Sequence, residues 1–150
     1  MNEARQRFWN VLESAMADLA GLAGWLESAS QTEIEEFQIE FEAAKEELAD
    51  YSEGIRLDGI TTAEDGTEDI CAWIVGQGRL VWETACSLKG DLCDYAREYE
   101  RVESGRSAKG AWNDSGMGER YRGSRSPGTL AYRVYEERFD ASLYDAIDDR

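Results

Sequence analysis

An all-α fold is predicted, on three observations. Apolar residues recur at three- and four-residue steps through most of the chain, strand-like alternation is found nowhere at length, and Gly, Ser and the single Pro gather late, in residues 104–128. The expected architecture is a single compact domain, residues 1–150, of about five helices, with residues 104–128 as a flexible Gly/Ser/Arg-rich loop before the C-terminal helix. A chain of this length buries roughly 68–70% of its unfolded surface without help from a metal or a disulfide.

The elements follow in order. From Glu3 to Leu26, Phe8, Val11, Leu12, Ala15, Met16, Leu19, Leu22 and Leu26 hold helical spacing, with Gly21 and Gly24 marking a break or bend near the end. Thr32 and Glu35 fit a capping box that opens a second helix. Along it, Ile34, Phe37, Phe41, Ala44, Leu48 and Tyr51 form one apolar stripe, while Glu35, Glu36, Glu40, Glu42, Glu46 and Glu47 take most other positions. The stripe suits core packing. It spans about two and a half heptads, short of the three or four of a coiled-coil seam.

Residues 52–66 fit either a short extended piece or a helical turn. From Thr67, Ile70, Trp73 and Ile74 are helical, and Gly76-Gln77-Gly78 signals a break, a bend or a close helix contact, because glycine costs about 1 kcal/mol in a helix interior. Leu80, Val81 and Ala85 resume the pattern. A fourth segment runs from Asp91, a plausible cap, to Val102, and the last from Leu130 to Ile147.

Charge bounds the partners. The chain has 32 acids, 16 bases and no histidine, for a formal charge of −16. Between Glu27 and Asp69 fifteen acids face two bases, Lys45 and Arg56, whereas residues 97–138 are nearly balanced. Such a field repels nucleic acid and anionic lipid and attracts basic surfaces. The same acids also suit an ordinary solvated helix face. The run Glu119-Arg120-Tyr121-Arg122-Gly123-Ser124-Arg125 superficially suits RNA stacking, but the overall field favours a loop paired with the acidic half.

Three cysteines, Cys71, Cys86 and Cys93, form no C-x-x-C pair and read as reduced, buried thiols, Cys86 and Cys93 being seven apart on one helical face. The N-terminal pattern lacks the apolar core of a signal peptide, and no run approaches the roughly 18 apolar residues of a membrane span. A cytoplasmic protein without membrane contact is expected.

Absence of histidine removes the Ser-His-Asp and Cys-His systems and the histidine-bearing zinc sites. The acidic segment lacks the D-x-D-x-D-G order of a calcium loop, and no phosphate-binding loop is found. Neither metal nor cofactor is expected.

The stretch Trp73-Ile74-Val75-Gly76-Gln77-Gly78-Arg79, preceded by the acidic turn Ala63-Glu64-Asp65-Gly66 and, far upstream, by Phe8-Trp9, resembles the landmarks of a bacterial domain family of unknown function frequent in actinomycetes. Its pattern is an early F-W and a central S-D-D-G-F, then W-L-I-x-Q-G-R, and the resemblance covers about residues 7–92. Ala63, Glu64, Thr67 and Cys71 depart from it in the polar half. The resemblance implies kinship and no activity.

Two site hypotheses follow. Glu35, Glu36, Glu40, Glu42, Glu46, Glu47 and Asp50 would steer a basic protein partner, with Trp112 as an aromatic anchor, making the chain a non-enzymatic interaction module, immunity-like or a nucleic-acid mimic. Alternatively, the turn Glu64, Asp65, Glu68 and Asp69, with Trp73, Gln77 and Arg79, would serve a small-ligand sensor or an enzyme. In the structural reading of the same residues, Gln77 caps neighbouring backbone and Arg79 bonds the turn carboxylates. A third reading is a scaffold that self-associates through the Ile34–Tyr51 stripe.

Overall fold

The computed structural model describes residues 2–108, 110–117 and 119–148. Among them are eight α-helices, α1 (Glu3–Ser14), α2 (Leu19–Ser28), α3 (Gln31–Glu46), α4 (Glu64–Val75), α5 (Arg79–Cys86), α6 (Cys93–Glu103), α7 (Pro127–Phe139) and α8 (Leu143–Asp148), with a 3-10 turn at Glu119–Tyr121 and two short strands, β1 (Arg56–Leu57) and β2 (Ile60–Thr61). The helical class is as predicted. The count of about five is corrected to eight, because three periodic segments, Glu3–Leu26, Thr67–Ala85 and Leu130–Ile147, each hold two helices.

The first of these breaks at residues 15–18, not at its glycines. Asp18 caps α2 by accepting from the Ala20 amide, whereas Gly21 and Gly24 lie on the exposed side of α2 with room around them. The last predicted helix breaks at Asp140, whose left-handed φ of 49° ends α7. The capping box of α3 lies two residues earlier than the sequence suggested. Ser30 Oγ accepts from the Glu33 amide at 3.1 Å and Glu33 Oε2 accepts from the Ser30 amide at 2.7 Å, so both orphan donors are met.

Residues 52–66 hold the hairpin β1–β2, antiparallel with Arg56 opposite Thr61 and Leu57 opposite Ile60. Asp58 and Gly59 turn it with φ of 51° and 83°, the positive pair that a two-residue hairpin loop requires. The α6 cap expected of Asp91 falls instead at Leu92, without a side-chain bond. Cys86 therefore ends α5 and Cys93 begins α6, and the helical face they were expected to share does not exist.

The chain divides into two compact units, Met1–Phe41 with Trp112–Arg150, and Glu42–Ala111. In the first, Phe8, Trp9, Leu12, Leu22, Leu26, Ile34, Phe37, Leu130, Val134 and Tyr135 are buried. The Phe8 ring lies 4.9 Å from Trp9 and 5.0 Å from Phe37, tilted geometry that adds about 0.5–1.5 kcal/mol per pair beyond area burial. Arg138 closes the C-terminal end of α2, donating to the carbonyls of Leu26 and Ala29 at 2.6 Å each. Arg133 donates to the carbonyls of Arg120 and Arg122 and to Ser124 Oγ, which ties residues 120–124 to α7.

The second unit buries Ala44, Leu48, Ile55, Ile70, Cys71, Ile74, Val75, Ala85, Leu92 and Ala96. Trp82 Nε1 donates to the Ala44 carbonyl at 2.9 Å. No helix among the described residues is long and apolar enough to cross a membrane.

Candidate functional site

The acidic segment Glu64–Asp69 is helix rather than turn. Glu64 and Asp65 form the first turn of α4, where the positive end of the helix dipole favours carboxylates. Thr67 is fully buried: its hydroxyl donates to the Ala63 carbonyl at 2.8 Å and lies 2.6 Å from the Thr62 hydroxyl. Glu64, Asp65 and Asp69 are exposed and Glu68 is half-buried.

Glu68 reaches Lys45, whose ammonium is held 2.9 Å from it and 2.8 Å from Glu42. The Lys45 side chain is only 6% exposed. Burial alone would lower its pKa, but the two carboxylates outweigh that and raise it above the ordinary lysine value. Asp69 is pushed up from the ordinary aspartate value by burial and then by the Glu68, Asp65 and Glu103 carboxylates, with Lys45 only partly opposing. Carboxylates from the end of α3, from α4 and from α6 thus share one electrostatic neighbourhood. Among the described residues, no three His, Cys, Asp or Glu side chains form a group able to hold a metal ion.

Gln77 acts as the structural reading expected. Its Nε2 donates to the Trp73 carbonyl at 3.0 Å and to the Gly110 carbonyl at 2.9 Å. Gly110 has φ of 75°, which favours glycine, and a Cβ there would push the Gln77 amide away from this bond. The Trp73 ring packs edge-on to Tyr99 at 6.0 Å. Gly78, with φ of 100°, breaks the chain between α4 and α5. Arg79 then opens α5, and its ion pair is with Glu83 at 2.8 Å, on its own helix.

The carboxylates assigned to a partner are largely engaged within the molecule. Glu35 accepts from the Tyr135 hydroxyl at 2.6 Å, Glu36 pairs with Arg7 at 2.7 Å, and Glu40 with Arg5 at 2.7 Å, both of the latter side chains being 12% exposed. Glu42 holds Lys45. Glu46, Glu47 and Asp50 are exposed, and Asp50 closes a local turn by accepting from Ser52. Trp112 is half-buried.

A trough that the sequence did not suggest lies in the first unit. Its wider part, about 540 Å³, is lined by α1, by Trp25 of α2 and by residues 30–37 at the start of α3. Asn10, Val11 and Trp25 also line an adjoining hollow of about 270 Å³, together with Ser14, Ala15 and Gly21. Its residues lie in three separate helices, and their only sequence signal is Trp25, a large aromatic between the exposed positions Gly24 and Glu27.

No family model, curated protein or solved structure matches the chain.

Proposed function

We propose that the chain is a non-enzymatic acidic interaction module that binds a basic protein partner and occludes it, as an immunity-like or nucleic-acid-mimicking inhibitor does. One observation supports this above others: nine of the fourteen bases among the described residues are engaged within their own unit, the exposed Arg56, Lys89, Arg101, Arg106 and Arg125 being the others. Arg5, Arg7, Lys45, Arg79, Arg97, Arg120 and Arg122 each sit in an ion pair with a carboxylate of their own unit. Arg133 and Arg138 face backbone carbonyls. With acids outnumbering bases two to one, the carboxylates left at the surface are in large excess; Glu13, Glu46, Asp50, Glu53, Glu64, Asp65, Asp69, Glu100 and Glu103 are all exposed. The raised Asp69 pKa, due first to burial, owes its remainder to the same crowding of like charge.

A surface of this kind accelerates encounter with a basic protein and disfavours nucleic acid. The reading of residues 64–69, Gln77 and Arg79 as a ligand site has less support, since the Gln77 amide donates to two carbonyls and Arg79 pairs on its own helix. Kinship with the family of unknown function over residues 7–92 and a cytoplasmic setting belong to the same proposal.

The test is capture on the immobilised chain from its own cells, followed by affinity measurement with each purified protein recovered. A basic partner whose Kd rises steeply with salt is the expected result. Retained proteins without a basic surface, or an affinity indifferent to salt, would sink the reading.

A further inference from the structure

The trough beside α1 combines an apolar floor with an acidic rim. Its two hollows, sharing Asn10, Val11 and Trp25, together are lined from Ala4 to Ala15 along α1, about 17 Å at 1.5 Å per residue, three helical turns. Phe8 and Phe37 lie almost fully buried beneath it, and half-buried Trp25, 5.5 Å from Phe37, forms its aromatic wall.

The rim carries more acid than base. Glu33 gives one carboxylate oxygen to the Ser30 amide and Glu36 gives one to Arg7, which leaves the second oxygen of each to solvent. Glu3, 95% exposed, stands beside Arg7 at the start of α1. Arg7 is the one base among the described lining residues, and it already faces Glu36 and Glu3. The positive end of the α3 dipole opens toward the trough, but Glu33 stands in that first turn and offsets it.

We propose that this trough seats a short amphipathic segment of the basic partner, with one or two large apolar side chains set against Trp25 and Val11 and flanking Lys or Arg residues meeting Glu33 and Glu36. The inference rests on the reading of the chain as a binder of basic proteins. Three turns of groove match the i, i+3, i+4, i+7 anchors of an amphipathic helix, and a half-exposed tryptophan beside unfilled carboxylate oxygens suits an apolar anchor next to a cation.

The experiment uses the full chain and three synthetic helical peptides of about three turns, one of Leu and Lys at helical spacing, one of Leu and Glu, and one of Lys and Ser without apolar residues. Two variants accompany it, Asn10→Lys and Asn10→Glu. Asn10 is exposed, lines both parts of the trough, and accepts only from the neighbouring Gln6 amide through its side chain, so either change leaves the core untouched. Circular dichroism and thermal melting check that both remain folded.

The Leu/Lys peptide should bind, Asn10→Lys should weaken it about tenfold or more, and Asn10→Glu should hold or tighten it. Equal binding of the Leu/Glu peptide, no binding of the Leu/Lys peptide, or an Asn10→Lys affinity unchanged from the parent overturns the trough. If the Lys/Ser peptide binds as well as the Leu/Lys one and Asn10→Lys has no effect, the basic-partner reading stands and the trough alone falls. If neither lysine peptide binds and no basic protein is captured, both fall.

Discussion

Gln77 and Gly110, 33 residues apart, meet through a 2.9 Å bond from the glutamine amide to the glycine carbonyl, at a point where a Cβ on Gly110 would displace that amide. The break after α4 and the end of the second unit are thereby fastened together.

Removing that fastening has a measurable cost. Gln77→Ala leaves the half-buried Gly110 carbonyl without this donor and should destabilise the protein by about 1–3 kcal/mol in urea unfolding. Gly110→Ala adds a left-handed strain and a steric overlap, and should cost at least as much. The two effects should not add, since each change breaks the same contact.

Lys45 gives a pH dependence with a defined sign. Its pKa is raised in the fold, so the stability its ion pairs contribute is fully present below about 10.5, the ordinary value, and is lost as pH rises through the higher folded value. Urea midpoints measured from pH 9 upward should fall more steeply for the parent than for Lys45→Met. Neutralising both carboxylates, as Glu42→Gln with Glu68→Gln, removes two counter-charges from a buried ammonium and should cost about 1–3 kcal/mol at pH 7, less than a fully dry pair because both acids are partly solvated.

Asp69 behaves oppositely to a salt-bridged aspartate. Its folded pKa lies above the ordinary 3.8, so the fold favours its protonated form; that contribution is present below about 3.8 and is lost as pH rises through the folded value. Ionised Asp69 therefore opposes folding at neutral pH. Asp69→Asn should raise the melting temperature at pH 7 and leave it unchanged near pH 3, and an unchanged or lower Tm at pH 7 would contradict the burial and carboxylate crowding that raise its pKa.

The cysteines should separate by reactivity. Burial pushes the Cys71 thiol up to about 12, so only about one molecule in ten thousand carries its thiolate at pH 8. Cys86 and Cys93 are half-buried. A thiol reagent at pH 8 should modify no more than these two in the folded protein and all three in urea, with Cys71 identified by mass mapping.

Much of this fold is legible in residue spacing, and what is not has physical reasons. The apolar steps through Phe8 and Leu12, through Ile34, Phe37 and Phe41, and through Ile70 and Ile74 mark true core faces because a buried stripe must recur every 3.6 residues. Boundaries escaped because they turn on single hydrogen bonds. Asp18 ends the first helical pattern by capping α2 while Gly21 and Gly24 continue inside that helix, and Ser30 with Glu33 competes with Thr32 and Glu35 for the cap of α3. The hairpin was readable: Asp58-Gly59 between Leu57 and Ile60 is a strong two-residue turn signal. At the candidate sites, the Gln77 contact followed from its spacing to Trp73 and the glycines beside it. The engagement of Glu35, Glu36 and Glu40 did not, because it depends on Tyr135, Arg7 and Arg5 from other helices.

The fastening of α7 to the start of the chain sets an order of events during synthesis. Tyr135 bonds Glu35 across 100 residues and Arg138 bonds Leu26 across 112, whereas α4, α5, α6 and the hairpin find their neighbours within their own stretch of sequence. Local pairings form before distant ones, since loop closure must precede the contact that rewards it. On the ribosome, residues 42–111 can therefore complete their packing while the apolar stripes of α1, α2 and the front of α3 still wait for α7 to emerge.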